Sequence, residues 1–133
     1  MMSYDEWLPR IIDAARDIAS REFQEEAWFP GGKVVSSPDE AYQVLMEDFT
    51  FDLFFETYGQ RFSPHQLRAA DELRSILQDY YDKFARHPDP RLVIDDPSWD
   101  SVRQAADRFV RAFRDRHGQS SENGTGGTET RGL

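Results

Sequence analysis

The chain of 133 residues contains no cysteine. A disulfide framework and a thiolate zinc site are therefore excluded, and the composition fits a reducing cytoplasm. Long apolar runs are also missing, since Leu53-Phe54-Phe55 is typical of the longest, and we expect no membrane-spanning helix. The N-terminus lacks the basic and apolar regions of a secretory signal. These features predict a soluble cytoplasmic protein.

Signatures of catalysis and of cofactor binding are absent from the sequence. No nucleophile elbow, phosphate-binding glycine loop, Glu-x-x-His pair or EF-hand loop occurs. The three histidines, His65, His87 and His117, lie at predicted helix ends or in turns, where a histidine commonly serves as a partner of the helix dipole. We therefore expect no enzyme, no metal site and no cofactor.

Aromatic side chains are abundant, with ten Phe, five Tyr and three Trp. Each buries roughly 150–250 Å² when it enters a core. The length suits one domain and is short for two. The chain can therefore build a single hydrophobic core without covalent cross-links.

Negative charge is concentrated in the first half of the chain. Residues 1–60 contain thirteen acidic and four basic residues, which accounts for the whole formal net charge of −9, whereas residues 61–133 contain twelve of each. A field of this sign repels phosphate backbones and anionic lipids and attracts cationic proteins. We expect a basic protein partner, with no direct nucleic-acid binding and no membrane binding.

Apolar residues at helical spacing predict a first helix from about residue 4 to residue 27. Ser3 and Glu6 have the spacing of a capping box, although Pro9 favours a start nearer Trp7. Pro30 and the following glycine pair end this helix. A second start signal, Ser37 to Glu40, opens a helix that reaches about Met46.

The segment from Asp48 to Phe55 allows two interpretations. Phe49, Phe51 and Leu53 alternate as in a strand, but the surroundings are helical. We favour a helix with a kink near Thr50 that ends at Gly59.

The remaining pattern predicts two long helices, one from Ser63 to about Arg86 and one from Asp96 to His117. A short apolar connector, Leu92 to Ile94, joins them and should pack on the core. Residues 118–133 have no apolar face, and we expect a disordered tail. The prediction is an all-α protein, a single helical bundle of about five helices over residues 1–117 followed by that tail.

Acidic side chains form the one surface feature with a clear geometry. Asp48, Asp52 and Glu56 are spaced at i, i+4 and i+8, which on one helix places three carboxylates in a row. Two interpretations of this row are open. In the first, the row pairs with arginines of this chain, namely Arg61, Arg68 or Arg74. In the second, the row is free to dock a basic protein. The candidate partner-binding residues, which include a second acidic group beside Trp28 and Phe29, are Glu47, Asp48, Asp52, Glu56, Glu22, Glu25, Glu26 and Tyr58.

Three short motifs resemble those of small bacterial immunity proteins of contact-dependent growth inhibition. They are Ser37-Pro38-Asp39-Glu40-Ala41, Glu47-Asp48-Phe49-Thr50-Phe51-Asp52 and Asp96-Pro97-Ser98-Trp99. The resemblance covers residues 37–113 and implies a protein that neutralises a cognate toxin by occluding its site. It assigns no functional residue.

Two other classes of function stay open at this point. The long amphipathic helices could belong to a regulatory or structural subunit that pairs between chains. The aromatic side chains could instead line the pocket of a small-ligand carrier or an enzyme.

Overall fold

The computed structural model describes residues 2–29, 31, 35–83 and 89–119. Within these ranges the regular elements are all helical, which confirms the all-α prediction. The helices are α1 (Tyr4–Ala19), α2 (Arg21–Ala27), α3 (Pro38–Tyr42), α4 (Phe51–Tyr58), α5 (Pro64–Lys83), α6 (Pro90–Val93) and α7 (Pro97–Gln119), with a π-helical turn over Gln43–Asp48 and a 3₁₀ turn over Gly59–Arg61.

Helix α7 is the middle of the bundle and packs against α1 on one side and α5 on the other. Its inward positions include Ala105 and Ala106, which are fully buried and small enough to let the neighbouring helices approach closely. Ile11 of α1 and Leu73 of α5 are also fully buried, as their helical spacing predicts. The apolar faces of α1, α5 and α7 thus form the core between these three helices.

Most of the predicted helix starts are confirmed at the atomic level. The hydroxyl of Ser37 accepts a hydrogen bond from the backbone N–H of Glu40, and Ser63 and Gln66 form a reciprocal capping box. Asp96 accepts from the N–H of Ser98 at the start of α7. Helix α1 begins at Tyr4, so the expectation of a later start, based on Pro9, is wrong.

The predicted helix over residues 4–27 is in fact two helices, and this prediction is wrong at Ser20. Ser20 has an extended backbone between α1 and α2, and its hydroxyl accepts from the N–H of Phe23. A serine hydroxyl competes well with helix continuation because it can cap the next helix. The chain therefore changes direction after α1, and α2 turns back toward the start of α7.

A buried polar cluster joins α1, α2 and α7. The amide N–H groups of Gln24 donate to the last carbonyls of α1, those of Asp17 and Ile18, at 3.0 and 2.8 Å. Its amide oxygen accepts from the indole of Trp99 at 3.1 Å and from the guanidinium of Arg103 at 2.9 Å. A glutamine offers both donors and acceptors, so all of these groups are satisfied inside the core.

The second predicted helix changes its hydrogen-bond pattern part of the way along. Helix α3 is followed directly by the π-helical turn, so the chain is helical to Met46 as predicted and continues to Asp48, but its hydrogen-bond pattern changes after Tyr42. The predicted kink near Thr50 is confirmed, since Thr50 separates this turn from α4.

The connector between α5 and α7 and the end of α7 differ in detail from the prediction. The connector forms the helical turn α6 and the residue after it. Val93 and Ile94 are buried but Leu92 is 74% exposed, so only part of the connector packs on the core.

Helix α7 reaches Gln119, past the predicted boundary at residue 117. Residues 120–133, which hold most of the predicted tail, and the predicted end of the fourth helix at Arg86 lie outside the described residues.

We predict that Gln24→Leu lowers the free energy of unfolding by about 3 kcal/mol, because leucine keeps the volume but leaves the Trp99 and Arg103 donors without their acceptor. Urea unfolding with an unchanged m-value measures this difference. Gln104→Leu is the matched control, since Gln104 is exposed on α7 and should change stability by less than about 0.5 kcal/mol. Equal stability of the two variants would contradict a structural role for the cluster.

Candidate protein-binding surface

All seven acidic residues that we singled out have exposed side chains. Glu47 and Asp48 end the π-helical turn, Asp52 and Glu56 lie on α4, and the other three lie on α2. None of them is turned into the core. The carboxylates are therefore accessible to a partner.

Asp48 does not continue the row formed by Asp52 and Glu56, so the prediction of three carboxylates on one helix is wrong. Thr50 has φ 43° and ψ 60°, which is the left-handed region, and it precedes the first residue of α4. A left-handed residue breaks a right-handed helix. The surface instead consists of two short segments that meet at Thr50.

The break at Thr50 is held by hydrogen bonds on both sides. The N–H of Phe49 donates to the carbonyl of Val44 at 3.0 Å, which closes the π-helical turn, and the N–H of Phe54 donates to the Thr50 carbonyl at 3.0 Å, which opens α4. The indole of Trp7 donates to the Phe49 carbonyl at 2.6 Å. Helix α1 thus holds the backbone beside Thr50, which joins the two acidic segments, through the side chain of Trp7.

Only one arginine of the described residues pairs with the acidic residues at this break. Arg74 lies 3.8 Å from the Asp52 carboxylate, but it bonds Asp71 more closely, at 2.9 Å. The hydrogen bond to Asp71 is the main reason that the pKa of Arg74 is raised. An exposed pair at the longer distance contributes at most about 1 kcal/mol. Within the described residues Glu47, Asp48 and Glu56 form no ion pair.

An apolar residue lies within this acidic surface. Leu53 is 44% exposed and lies beside Asp52 on the outward side of α4, whereas Phe51 and Phe54 face the core. The sequence carries a signal for this placement, because position 53 falls outside the helical face formed by the buried phenylalanines. We call Glu47, Asp48, Asp52, Leu53 and Glu56 together the α4 surface.

Tyr58 differs from the acidic candidates because its ring belongs to the aromatic cluster at one end of the bundle. The ring contacts those of Tyr4 and Phe54 with centroids 5.1 and 5.3 Å apart. The Arg61 guanidinium lies over the ring at 5.1 Å. Tyr58 is half-buried and packs against the core, so its main role is in packing.

The acidic residues of α2 form a separate group. Glu25 pairs with Arg21 at 2.9 Å, while Glu22 and Glu26 form no ion pair in the described part of the chain. No hydrogen bond, ion pair or ring contact between described residues links α2 to α4. The structure does not merge the two acidic groups into one continuous patch through direct contacts.

Other classes of site receive no support from the described residues. Among them, no three His, Cys, Asp or Glu side chains are grouped so that they could hold a metal ion. None of the helices in these ranges combines the length and apolar character that crossing a bilayer requires.

We predict that Thr50→Asn raises the free energy of unfolding by about 0.5–1 kcal/mol, because asparagine tolerates the left-handed region better than a β-branched residue does. Thr57→Asn in α4 is the control, and it should be nearly neutral since the two residues have similar helix propensities. Chemical denaturation of both variants measures the difference. A loss of stability in Thr50→Asn alone would contradict the left-handed backbone.

A comparison of the chain with known protein families, curated proteins and solved structures found no match.

Proposed function

We propose that this chain is a protein-binding module that docks a basic protein through its α4 surface. The observation that carries the proposal is the state of the carboxylates there. All four are exposed, and among the described residues only Asp52 has a cationic partner, Arg74 at 3.8 Å. Charge that the chain does not neutralise itself remains available to a partner.

The composition of the α4 surface favours a protein over other ligands. Four carboxylates repel nucleic-acid phosphates and anionic lipids, while Leu53 offers apolar area that a protein partner can bury. Charge at the edge with an apolar residue inside is a common arrangement of protein interfaces. The surface is a poor site for a small metabolite because α4 is convex and presents its outward face to solvent.

The backbone at Thr50 supports the same assignment. A β-branched residue in the left-handed region costs of order 1–3 kcal/mol and persists where the surroundings impose it, often at functional sites. Its neighbour, the π-helical turn, is a second uncommon feature that is enriched at such sites. Together they present Glu47 and Asp48 at a different angle from Asp52 and Glu56.

Within this class, an immunity-type role fits best. The motif from Glu47 to Asp52, which carries part of the resemblance to small immunity proteins, supplies three of the four carboxylates of the α4 surface. We propose that the protein occludes the site of a basic toxin in the cytoplasm and catalyses no reaction. Electrostatic attraction would speed the encounter with such a partner.

The test uses the proteins encoded by the adjacent reading frames, each titrated against the full chain in binding and kinetic experiments. We predict that Asp52→Asn/Glu56→Gln lowers the association rate constant for the basic partner about tenfold at low salt. The variant should also lose much of its dependence on salt, since exposed charges act through a screened field.

The matched control is Glu72→Gln/Asp107→Asn, which removes the same charge from ion pairs on the surfaces of α5 and α7. Its association rate should stay within about twofold of the unaltered protein. Equal losses in both double variants would show that only net charge matters and would refute a docking role for the α4 surface. A panel of neighbouring proteins in which none binds would refute the proposed function.

A further inference from the structure

A small cavity lies where α2 faces α3 and the π-helical turn. Its volume is about 170 Å³. Sites for drug-sized ligands enclose about 300–1,000 Å³, so this cavity is closer to the size of a single side chain. Phe23 and Trp28 line it from α2, and Ala41 and Val44 line it from the opposite side.

Asp17 and Glu40 are acidic residues in the lining of this cavity, and Gln24 and Ser36 are neutral polar ones. No basic residue is among the described residues that line it. Neither carboxylate forms a hydrogen bond or an ion pair within the described residues. The cavity therefore combines apolar and aromatic walls with two carboxylates that have no cationic partner among the described residues.

The surroundings of Asp17 change the pKa of its carboxyl group. Partial burial raises the pKa of its carboxyl, and the neighbouring charge of Asp13 raises it further, while Arg16 lowers it. A carboxylate that is partly desolvated and repelled by another acid gains more from a cation than a fully hydrated carboxylate does.

Two other depressions in the described surface lack this combination. The open groove between α5 and α7 is lined by Arg108, whose guanidinium is already bound to Glu72 through two hydrogen bonds of 2.9 and 3.0 Å. The cleft between α4 and α5 is lined by Arg74, which contacts Asp52. Of these three depressions, the cavity beside α2 is the one whose described lining contains acids and no basic residue.

We propose that this cavity receives one arginine side chain of the basic partner. The guanidinium would lie between Asp17 and Glu40, and its methylene stem would pack against the apolar wall. Arginine suits the site because its planar cation stacks on aromatic rings and pairs with carboxylates through several N–H groups. This inference rests on the proposed function, since the arginine belongs to the same partner.

The test is an NMR titration of the full-length ¹⁵N-labelled chain with the blocked tripeptide acetyl-Gly-Arg-Gly-amide. We expect saturable shifts at Ala41, Val44 and the Trp28 indole, with a Kd on the order of 10 mM for so small a ligand. The same peptide with citrulline, which keeps the shape of arginine without its charge, should give no saturable shifts. Asp17→Asn/Glu40→Gln should raise the Kd at least tenfold.

Asp52→Asn/Glu56→Gln is the matched control for this titration, because it removes two carboxylates outside the cavity, and its Kd should be unchanged. Equal binding of the citrulline peptide, or shifts confined to residues elsewhere, would overturn the proposal. The citrulline comparison needs no variant, so it decides the matter even where the double substitution unfolds the chain.

The two proposals fail in different ways. A basic neighbour that binds the α4 surface while the arginine peptide leaves the cavity untouched would refute the cavity assignment alone. Saturable arginine binding in the cavity, with no neighbouring protein bound, would refute the proposed function and leave the cavity as a guanidinium site.

Discussion

The buried side chain of Gln24 connects parts of the chain that are far apart in sequence. Through one amide it bonds the end of α1 and the start of α7, and Arg103 extends the connection to the carbonyl of Ile94. Arg21 donates to the same carbonyl from the surface at 2.9 Å. The position of α2 depends on these bonds, because a seven-residue helix is too short to be stable by itself.

The turn of α2 creates the cavity. A single helix over residues 4–27 would have carried Phe23 and Trp28 away from the rest of the fold along the axis of α1. The break at Ser20 and the anchoring of Gln24 instead place both aromatic side chains opposite Ala41 and Val44. The apolar wall of the cavity thus follows from a polar cluster in the core.

Local signals predicted most of this fold and tertiary contacts decided the rest. Serine and proline at the starts of α3 and α5 fix those helices, because each serine hydroxyl accepts from the backbone N–H three residues later, so their sequence suffices. The kink near Thr50 could be predicted, but the left-handed backbone of Thr50 has no such local signal, and the Phe49 carbonyl beside it accepts from the Trp7 indole, 42 residues earlier in the chain. The acidic residues could therefore be identified from the sequence, while the relative orientation of the two segments that carry them could not.

Under the two proposals, the carboxylates of the α4 surface and those that line the cavity would act on one partner in succession. At 0.1 M ionic strength charges act over roughly 10 Å, so the α4 surface can attract a basic protein before contact but cannot distinguish one cation from another. As a binding site the cavity would act only at contact, where its volume of about 170 Å³ and its aromatic wall would select one shape of side chain. Attraction and selection would then be properties of separate residues. A substitution on α4 would mainly change the association rate constant of the partner, and a substitution in the cavity would mainly change its dissociation rate constant.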